Sequence, residues 1–327
     1  MAAASAPLVR VVRSGLEESI HLGDVAVCDA SGRLVASAGD PRRRLYLRSS
    51  AKPFQAVVSI DAMGEDLPER LVAIVCASHN GEPVHIRAVR DVLRRGGLAI
   101  DDLLTPPARP SDAASARRVA RPAPLYHNCS GKHAGMLFAS TQRGWALASY
   151  RSRSHPLQRR ILSAMRLFSG DDDLSIGVDG CGVPVHGTTL RAVATMYARL
   201  AEPDRAGPLA PAVVRVTSAM RAHPYLIGGR ACQDTEIMQA SDDVVVKYGA
   251  EGLDGAVALG AGLGIALKVA DGGYRAVGPA LIAVLDQLGL VDPGARRRLR
   301  RLASPPVLGG GRPVGRLEPL VRLRARG

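Results

Sequence analysis

The sequence predicts an α+β fold in which an antiparallel sheet is flanked by helices, and three observations lead to this prediction. Segments with the composition of strands lie near both ends of the chain, over residues 8–48 and 242–275. Between them, from Ser50 onward, apolar residues recur with helical spacing. Strands and helices do not alternate, so a parallel sheet with crossover helices is not expected. We therefore predict a sheet built from both ends of the chain.

The N-terminal strand region contains a predicted hairpin, because the runs DVAVCDA and RLVASAG flank the turn-forming pair Ser31-Gly32. Six helical segments follow: AKPFQAVVSIDAM, PERLVAIVCAS, PVHIRAVRDVLRRG, GKHAGMLFASTQRG, HPLQRRILSAMRLF and TLRAVATMYARLAE. The Pro-rich stretch 105–124 interrupts them, either as a domain linker or as a long surface loop near the site. The runs DDVVVKYG, GAVALGAG and GIALKVADGG then predict strands, and two helices with a short terminal strand complete the chain.

Net charge and targeting signals narrow the possible functions. The formal net charge is +13, which could suit nucleic acid or an anionic membrane. The arginine runs PRRR and ARRRLRR have no interleaved aromatic residues and no nucleic-acid motif beside them, so we expect no nucleic-acid partner. The N-terminus lacks the pattern of a secretory signal, and no apolar window is long enough to span a membrane. We expect a cytoplasmic protein whose five scattered cysteines are reduced thiols.

Lysine is rare in this chain, since all but four of its 43 basic residues are arginine. Lys52, Lys132 and Lys247 lie in turns marked by Gly, Ser, His or Cys, whereas Lys268 lies in a predicted strand. Arginine cannot lose its proton in a protein, but a buried lysine can. The three lysines in turns are therefore candidates for a base or a metal ligand, unless their positions are due to chance.

Ser49 and Lys52 in RSSAKPFQ are three residues apart at a predicted helix start, so both lie on one face. This is the Ser-x-x-Lys pattern of serine β-lactamases and penicillin-binding proteins. The alternative is a capping serine, for which Ser50 would suffice, followed by a solvent-exposed lysine. In CASHNGEPVH, Ser78 could supply a second hydroxyl, or the segment could be an ordinary helix end stopped by Asn80.

Two further turns combine cysteine and histidine. HNCSGKHAG contains Cys129, Lys132 and His133, and DGCGVPVHG contains Cys181. The two cysteines could be ligands of a soft metal such as zinc. They do not have the CxxC spacing of a zinc finger, so buried free thiols are the alternative.

These motifs together resemble the rhizobial-type L-asparaginase II family. RSSAKPFQ, CASHNGE, HNCSGKHAGML, DGCGVP and VVKYGAEG occur in the family's order and spacing, and the similarity runs from about residue 8 to 320. The resemblance implies a fold like that of serine β-lactamases and glutaminases, and a homodimer. It also implies a single catalytic domain over residues 1–327, with room for a smaller helical subdomain in the middle. The implied activity is hydrolysis of L-asparagine to L-aspartate and ammonia.

The resemblance also implies residue roles. The catalytic residues would be two Ser-Lys tandems, Ser49 with Lys52 and Ser78 with Lys247. The zinc ligands would be Cys129, Lys132 and Cys181. The substrate contacts would be Arg48, His133 and Asp179. Cys232, in the looser motif GGRACQDTEIM, matches a further cysteine near the site.

The residue patterns and the resemblance predict one mechanism. Ser49 attacks the amide carbon, and a neutral lysine, either Lys52 or Lys247 acting through Ser78, takes the proton. Backbone N–H groups near the helix start would hold the oxyanion, and zinc would position substrate rather than activate water. Two alternatives stay open. The same residues could act on another amide or a β-lactam, or the chain could be a catalytically silent, zinc-stabilised binding protein.

Overall fold

A computed structural model describes residues 4–64 and 66–325 of the chain, and it confirms the α+β prediction. Strands occur near both ends and in the middle of this part of the chain. They are β1 (Ala6–Arg13), β2 (Leu16–Cys28), β3 (Leu34–Ala38), β4 (Arg44–Tyr46), β5 (Ser175–Val178), β6 (Pro184–Thr189), β7 (Val244–Gly249), β8 (Leu253–Ala258), β9 (Leu263–Val269), β10 (Pro306–Gly309), β11 (Arg312–Pro319) and β12 (Arg324–Ala325).

The helices include all six that were predicted in the middle of the chain and the two predicted near its end. They are α1 (Lys52–Met63), α2 (Glu69–Cys76), α3 (Pro83–Arg95), α4 (Ala113–Ala116), α5 (Ser130–Gln142), α6 (Pro156–Ser169), α7 (Leu190–Arg199), α8 (Ala210–Ala222), α9 (Pro224–Ile227), α10 (Gln233–Ala240), α11 (Val277–Gln287) and α12 (Pro293–Ala303). Four helices, α4, α8, α9 and α10, were not predicted from the sequence.

The main sheet joins the two ends of the chain, as the sequence predicted. Its strand order is β10-β11-β1-β2-β9-β8-β7, and β3 pairs with both β2 and β12. The first and last long strands, β1 and β11, are antiparallel neighbours, with Val9 opposite Pro319. The predicted hairpin around Ser31 is present, since β2 and β3 are antiparallel and Val25 lies opposite Ala38.

A second, three-stranded sheet was not predicted. Its order is β4-β6-β5, and all its pairs are antiparallel. The segment DGCGVPVHG was expected to be a turn, but only its first half is one, because β6 begins at Pro184. The hairpin was not predicted because the turn-forming residues at 179–182 dominated the sequence pattern. Asp179 and Cys181 lie at the tip of this hairpin.

Close packing between helices and sheet brings the site residues together. Every residue of helix α1 except Asp61 is buried, so α1 is a core helix rather than a surface helix. Helix α7 lies against β9, where a Cβ atom on Gly264 would be 2.0 Å from the carbonyl oxygen of Ala194. Gly264 therefore allows the helix and the strand to approach each other closely.

The Pro-rich stretch 105–124 is a surface loop beside the site rather than a linker. Ala108 and Ala123 form an antiparallel bridge that closes the loop on itself. The backbone N–H of Asp112 donates to the carbonyl of Asn80 at 3.0 Å. The loop is thereby attached to the segment that carries Ser78.

Candidate active site

Lys52 begins helix α1, and its side chain is completely buried. Its Nζ donates to the Ser78 hydroxyl at 2.7 Å and to the Ala77 carbonyl at 2.6 Å. Within residues 4–64 and 66–325, no carboxylate lies within ion-pair distance of this amine. The hydrogen-bond partners of Lys52 are therefore uncharged oxygen atoms.

Ser49 lies in the short 3-10 helix Arg48–Ala51 that leads into α1. In the described part of the chain its hydroxyl makes no hydrogen bond, so it is available to a ligand. Arg48 has a φ of 49°, a left-handed conformation that is uncommon for a residue other than glycine. Such backbone strain is often found at functional sites. The Ser50 N–H in this turn already donates to Leu47, so it is not free to hold an oxyanion.

Ser78 faces a cavity of about 460 Å³. No hydrogen bond joins Ser78 to Lys247 among the described residues, and the Ser78 hydroxyl accepts from Lys52 instead. The cavity is also lined by residues from the 105–124 loop, the 228–232 segment and two aromatic side chains: Asn80, Ser111, Asp112, Ala113, Gly228, Arg230, Ala231, Cys232, Tyr248 and Tyr274. The motif containing Cys232 therefore contributes to this cavity.

Lys247 is as deeply buried as Lys52 but has a different partner. Its Nζ forms an ion pair with Asp234 at 2.7 Å, and neither side chain is exposed. The same carboxylate accepts the backbone N–H of Tyr248 at 3.2 Å. The ammonium also lies 4.0 Å from the centre of the Tyr248 ring, and Tyr248 lines the cavity.

The two lysines have pKa values that shift in opposite directions. Burial, helped by the charges of Lys132 and Lys247 and opposed by Cys129, lowers the pKa of Lys52 to about 8. Burial also lowers the pKa of Lys247, but the attraction of Asp234 outweighs it and raises the pKa above its usual value. Lys52 is therefore the amine that can be neutral near physiological pH.

The expected zinc ligands lie together at the start of α5 and the tip of the β5–β6 hairpin. The Nζ of Lys132 is 3.1 Å from the sulfur of Cys181, and all three ligand residues are buried. The hydrogen bond from the Cys181 thiol holds the pKa of Cys129 well below its usual value. A thiolate with a second sulfur beside it suits zinc, so the two cysteines fit this metal. Burial lowers the pKa of Lys132, but the charges of Cys181 and Cys129 outweigh it and raise the pKa, so this amine must lose its proton to become a ligand.

The structure does not by itself establish a metal site. Among residues 4–64 and 66–325, no group of three or more His, Cys, Asp and Glu side chains is arranged to hold a metal ion. The expected set has only two ligands of these types and depends on Lys132 for the third. Zinc at this position stays a prediction.

The expected substrate contacts lie near the same group. Arg48 Nε donates to Asp179 Oδ1 at 2.7 Å, so these two residues neutralise each other. His133 is completely buried and its Nδ1 bonds to the Tyr150 hydroxyl at 2.6 Å. Its Nε2 has no partner in the described part of the chain. These three residues do not line the cavity in front of Ser78, and neither does Ser49.

Sequence reasoning missed the acidic residues behind the site. Asp234 and Asp254 are both fully buried. Burial and the charge of Asp234 raise the pKa of Asp254 well above its usual value, which favours the neutral form of this carboxyl. Asp234 lies in the first turn of α10, where an acidic residue commonly serves the helix dipole. Because acidic residues are common at that position, the pairing of Asp234 with Lys247 could not be predicted from the sequence.

Comparison with known protein families identifies the chain. The family model described as L-asparaginase II matches residues 9–319. The chain belongs to the L-asparaginase II family. This L-asparaginase II family member is an amidohydrolase, and a small-molecule substrate is in keeping with that class. The search of curated proteins found no match.

Solved structures with similar chain traces are β-lactamases and glutaminases. A β-lactamase from Mycobacterium bovis is 18% identical, with 81% of this chain and 94% of that chain covered, at a TM-score of 0.45. A probable glutaminase from Bacillus subtilis, complexed with 6-diazo-5-oxo-L-norleucine, is 14% identical, with 82% and 84% covered, at a TM-score of 0.38. Across residues 4–64 and 66–325, the helices are all too short or too polar to cross a bilayer.

Proposed function

We propose that this amidohydrolase converts L-asparagine to L-aspartate and ammonia, using a serine nucleophile activated by neutral Lys52. The observation that carries the proposal is the buried hydrogen bond of 2.7 Å between Lys52 Nζ and Ser78 Oγ. A neutral amine in this position can accept a proton from a serine hydroxyl. The family match supports the choice of an amide as the substrate.

Ser49 is assigned as the nucleophile and Ser78 as the proton relay. The Ser49 hydroxyl has no hydrogen-bond partner in the described part of the chain, whereas the Ser78 hydroxyl is held by the base. In the proposed reaction, the Ser49 oxygen bonds to the side-chain amide carbon and its proton passes through Ser78 to Lys52. Lys52 then returns the proton to the departing nitrogen, and water hydrolyses the acyl-enzyme.

Lys247 is assigned a different role from that of a base. Because its pKa is raised and Asp234 is its partner, it stays protonated as a fixed positive charge. That charge is one of the influences that lower the pKa of Lys52. Lys247 therefore supports catalysis through Lys52 rather than by taking the proton itself.

Zinc would be held by Cys129, Lys132 and Cys181. When bound, it would supply a positive charge that neutralises the thiolates and orients polar groups nearby. Elemental analysis after zinc addition and desalting tests this ligand set. We expect about one zinc per chain in the unchanged protein and a loss of most of it in Cys129→Ser and Cys181→Ser, as ligand removal predicts. A zinc content that is the same in all three proteins would contradict the ligand assignment.

The decisive experiment is an assay of the purified protein with L-asparagine, L-glutamine and the chromogenic β-lactam nitrocefin. Ammonia release from L-asparagine at a higher kcat/KM than from L-glutamine supports the proposal. Hydrolysis of glutamine or nitrocefin alone would assign the same residues to the alternative substrates. No turnover with added zinc would instead support the binding protein. A homodimer, proposed from the family resemblance, is tested by light scattering on the same preparation.

A further inference from the structure

The cavity in front of Ser78 has two walls to which no role has yet been assigned. One wall is formed by Ser111, Asp112 and Ala113 from the 105–124 loop. The opposite wall is formed by the segment from Gly228 to Cys232. Among the lining residues, Asp112 and Arg230 are the ones with charged side chains; the thiol of Cys232 stays neutral because burial raises its pKa to about 12. The cavity thus presents one carboxylate and one guanidinium.

The backbone around Arg230 is held by Glu82. One oxygen of this nearly buried carboxylate accepts the Arg230 N–H and the Asn80 side-chain amide, both at 2.9 Å. The other accepts the Tyr225 hydroxyl at 2.8 Å. The next residue, Ala231, has a φ of 54°, in the left-handed region that only a well-supported backbone maintains. Glu82 therefore fixes the position from which the Arg230 side chain extends.

The Arg230 guanidinium itself is available to a ligand. Its side chain is 68% exposed, and its Nη2 is 3.7 Å from Glu82, which is longer than a hydrogen bond. A guanidinium has five N–H donors in a planar fork that matches a carboxylate. The Tyr225 hydroxyl hydrogen-bonds to this side chain, and the remaining donors are left for a ligand at the edge of the cavity.

Asp112 is similarly fixed. Its hydrogen bonds with Ser115 lower the pKa of its carboxyl, and the nearby charges of Arg230 and Arg117 add a smaller effect. Its Oδ2 accepts the Ser115 N–H at 2.7 Å, and its own N–H donates to Asn80. No Lys or Arg in residues 4–64 and 66–325 comes within 4 Å of its carboxylate. One oxygen can therefore accept hydrogen bonds from a ligand while the other caps helix α4.

We propose that Arg230 and Asp112 recognise the α-carboxylate and the α-ammonium of an amino-acid amide whose side chain reaches Ser78. This inference rests on the proposed amidohydrolase function and adds to it the residues that bind the two α-groups of the substrate. Arg48 and Asp179 carry the same pair of charges but are bonded to each other at 2.7 Å. Arg230 and Asp112 attract each other across the cavity but form no ion pair within 4 Å, so they lose less on binding a zwitterion.

A crossed kinetic experiment tests each contact separately. L-asparagine, N-acetyl-L-asparagine and L-asparaginamide are compared as substrates of the unchanged protein, Asp112→Asn and Arg230→Gln. The acetylated substrate lacks the ammonium, and the diamide lacks the α-carboxylate. Asn is also a good helix cap, so Asp112→Asn should keep α4 intact. Arg118→Gln and Asp101→Asn are matched controls, because both residues are exposed, lie outside the cavity and give the same charge changes.

Loss of one charge-assisted hydrogen bond should raise KM for L-asparagine by about 10- to 100-fold in either variant. Asp112→Asn should leave KM for the acetylated substrate nearly unchanged, and Arg230→Gln should do so for the diamide. The kcat values and both controls should change much less. Equal increases in KM for all three substrates would overturn the proposal. So would the crossed pattern of KM changes if it appeared in Arg48→Gln and Asp179→Asn instead.

A binding measurement separates this proposal from the proposed function. Calorimetry uses the same crossed design without turnover, with L-aspartate, N-acetyl-L-aspartate and L-isoasparagine as ligands. L-isoasparagine carries the amide on its α-carboxyl. The crossed pattern in Kd with no hydrolysis would support recognition and reject only the reaction. No detectable binding of L-aspartate, or binding that both variants leave unchanged, would overturn the recognition.

Discussion

Lys52 and Lys247 are two completely buried lysines in one site, and their surroundings give them opposite properties. Lys52 donates to a carbonyl and a serine hydroxyl, whereas Lys247 faces the carboxylate of Asp234. Burial alone would lower both pKa values. Because an ion pair offsets burial only at Lys247, one amine can be neutral and the other stays charged. The comparison shows that the partner of a buried lysine, more than its burial, decides whether it can act as a base.

The most severe test of this comparison removes the serines around Lys52. Ser49→Ala should abolish nearly all turnover, because it removes the atom that bonds to the substrate. Ser78→Ala should cost about 10²- to 10⁴-fold in kcat, as expected for loss of a proton relay. Steady-state kinetics, with circular dichroism to confirm folding, measures both. A larger loss in Ser78→Ala than in Ser49→Ala would reverse the two roles.

The next test replaces the base itself. Lys52→Arg keeps the positive charge but cannot be deprotonated, so kcat should fall by about 10²- to 10⁴-fold. Lys268→Arg is the matched control, since its amine donates to the backbone carbonyls of Glu251 and Val269, away from the cavity, and its kcat should stay near normal. A folded Lys52→Arg protein with near-normal kcat would rule out the lysine base.

The ion pair between Lys247 and Asp234 is tested through the stability of the folded protein. Asp234→Asn leaves the Lys247 charge buried without a counter-ion, which should lower the free energy of unfolding by about 3–5 kcal/mol. The double variant Asp234→Asn/Lys247→Met has no buried charge to compensate, so it should be more stable than Asp234→Asn alone. Urea denaturation of Asp234→Asn, Lys247→Met and the double variant gives the coupling energy between the two residues. Additive losses would show that the ion pair is not formed.

The smallest expected effect is the pH dependence of the unchanged enzyme. Only the unprotonated amine of Lys52 accepts a proton, and its pKa is lowered to about 8. The value of kcat/KM should therefore rise about tenfold per pH unit below that pKa and level off above it. A profile measured between pH 6 and 10 checks this. Activity that is level throughout, or that rises only above pH 10, would mean that Lys52 is not the titrating base.

Local sequence patterns determined much of this protein. Strand composition at both ends and helical spacing in the middle predicted the α+β fold, because these periods depend on near neighbours in the chain. The rarity of lysine directed attention to Lys52, Lys132 and Lys247, and the ordered motifs indicated the family. The small sheet was missed because the turn residues at the tip of its hairpin outweighed the short strands beside them.

Tertiary structure alone decided the partners. Lys52 meets Ser78 from 26 residues away, and Lys247 meets Asp234 from 13 residues away on another element. The walls of the cavity come from segments more than 100 residues apart, around Asp112 and Arg230. Local patterns give each residue its type and its place on a helix or strand. The packing of these elements chooses which buried charge faces a hydroxyl and which faces a carboxylate, and that choice sets the pKa on which the proposed chemistry depends.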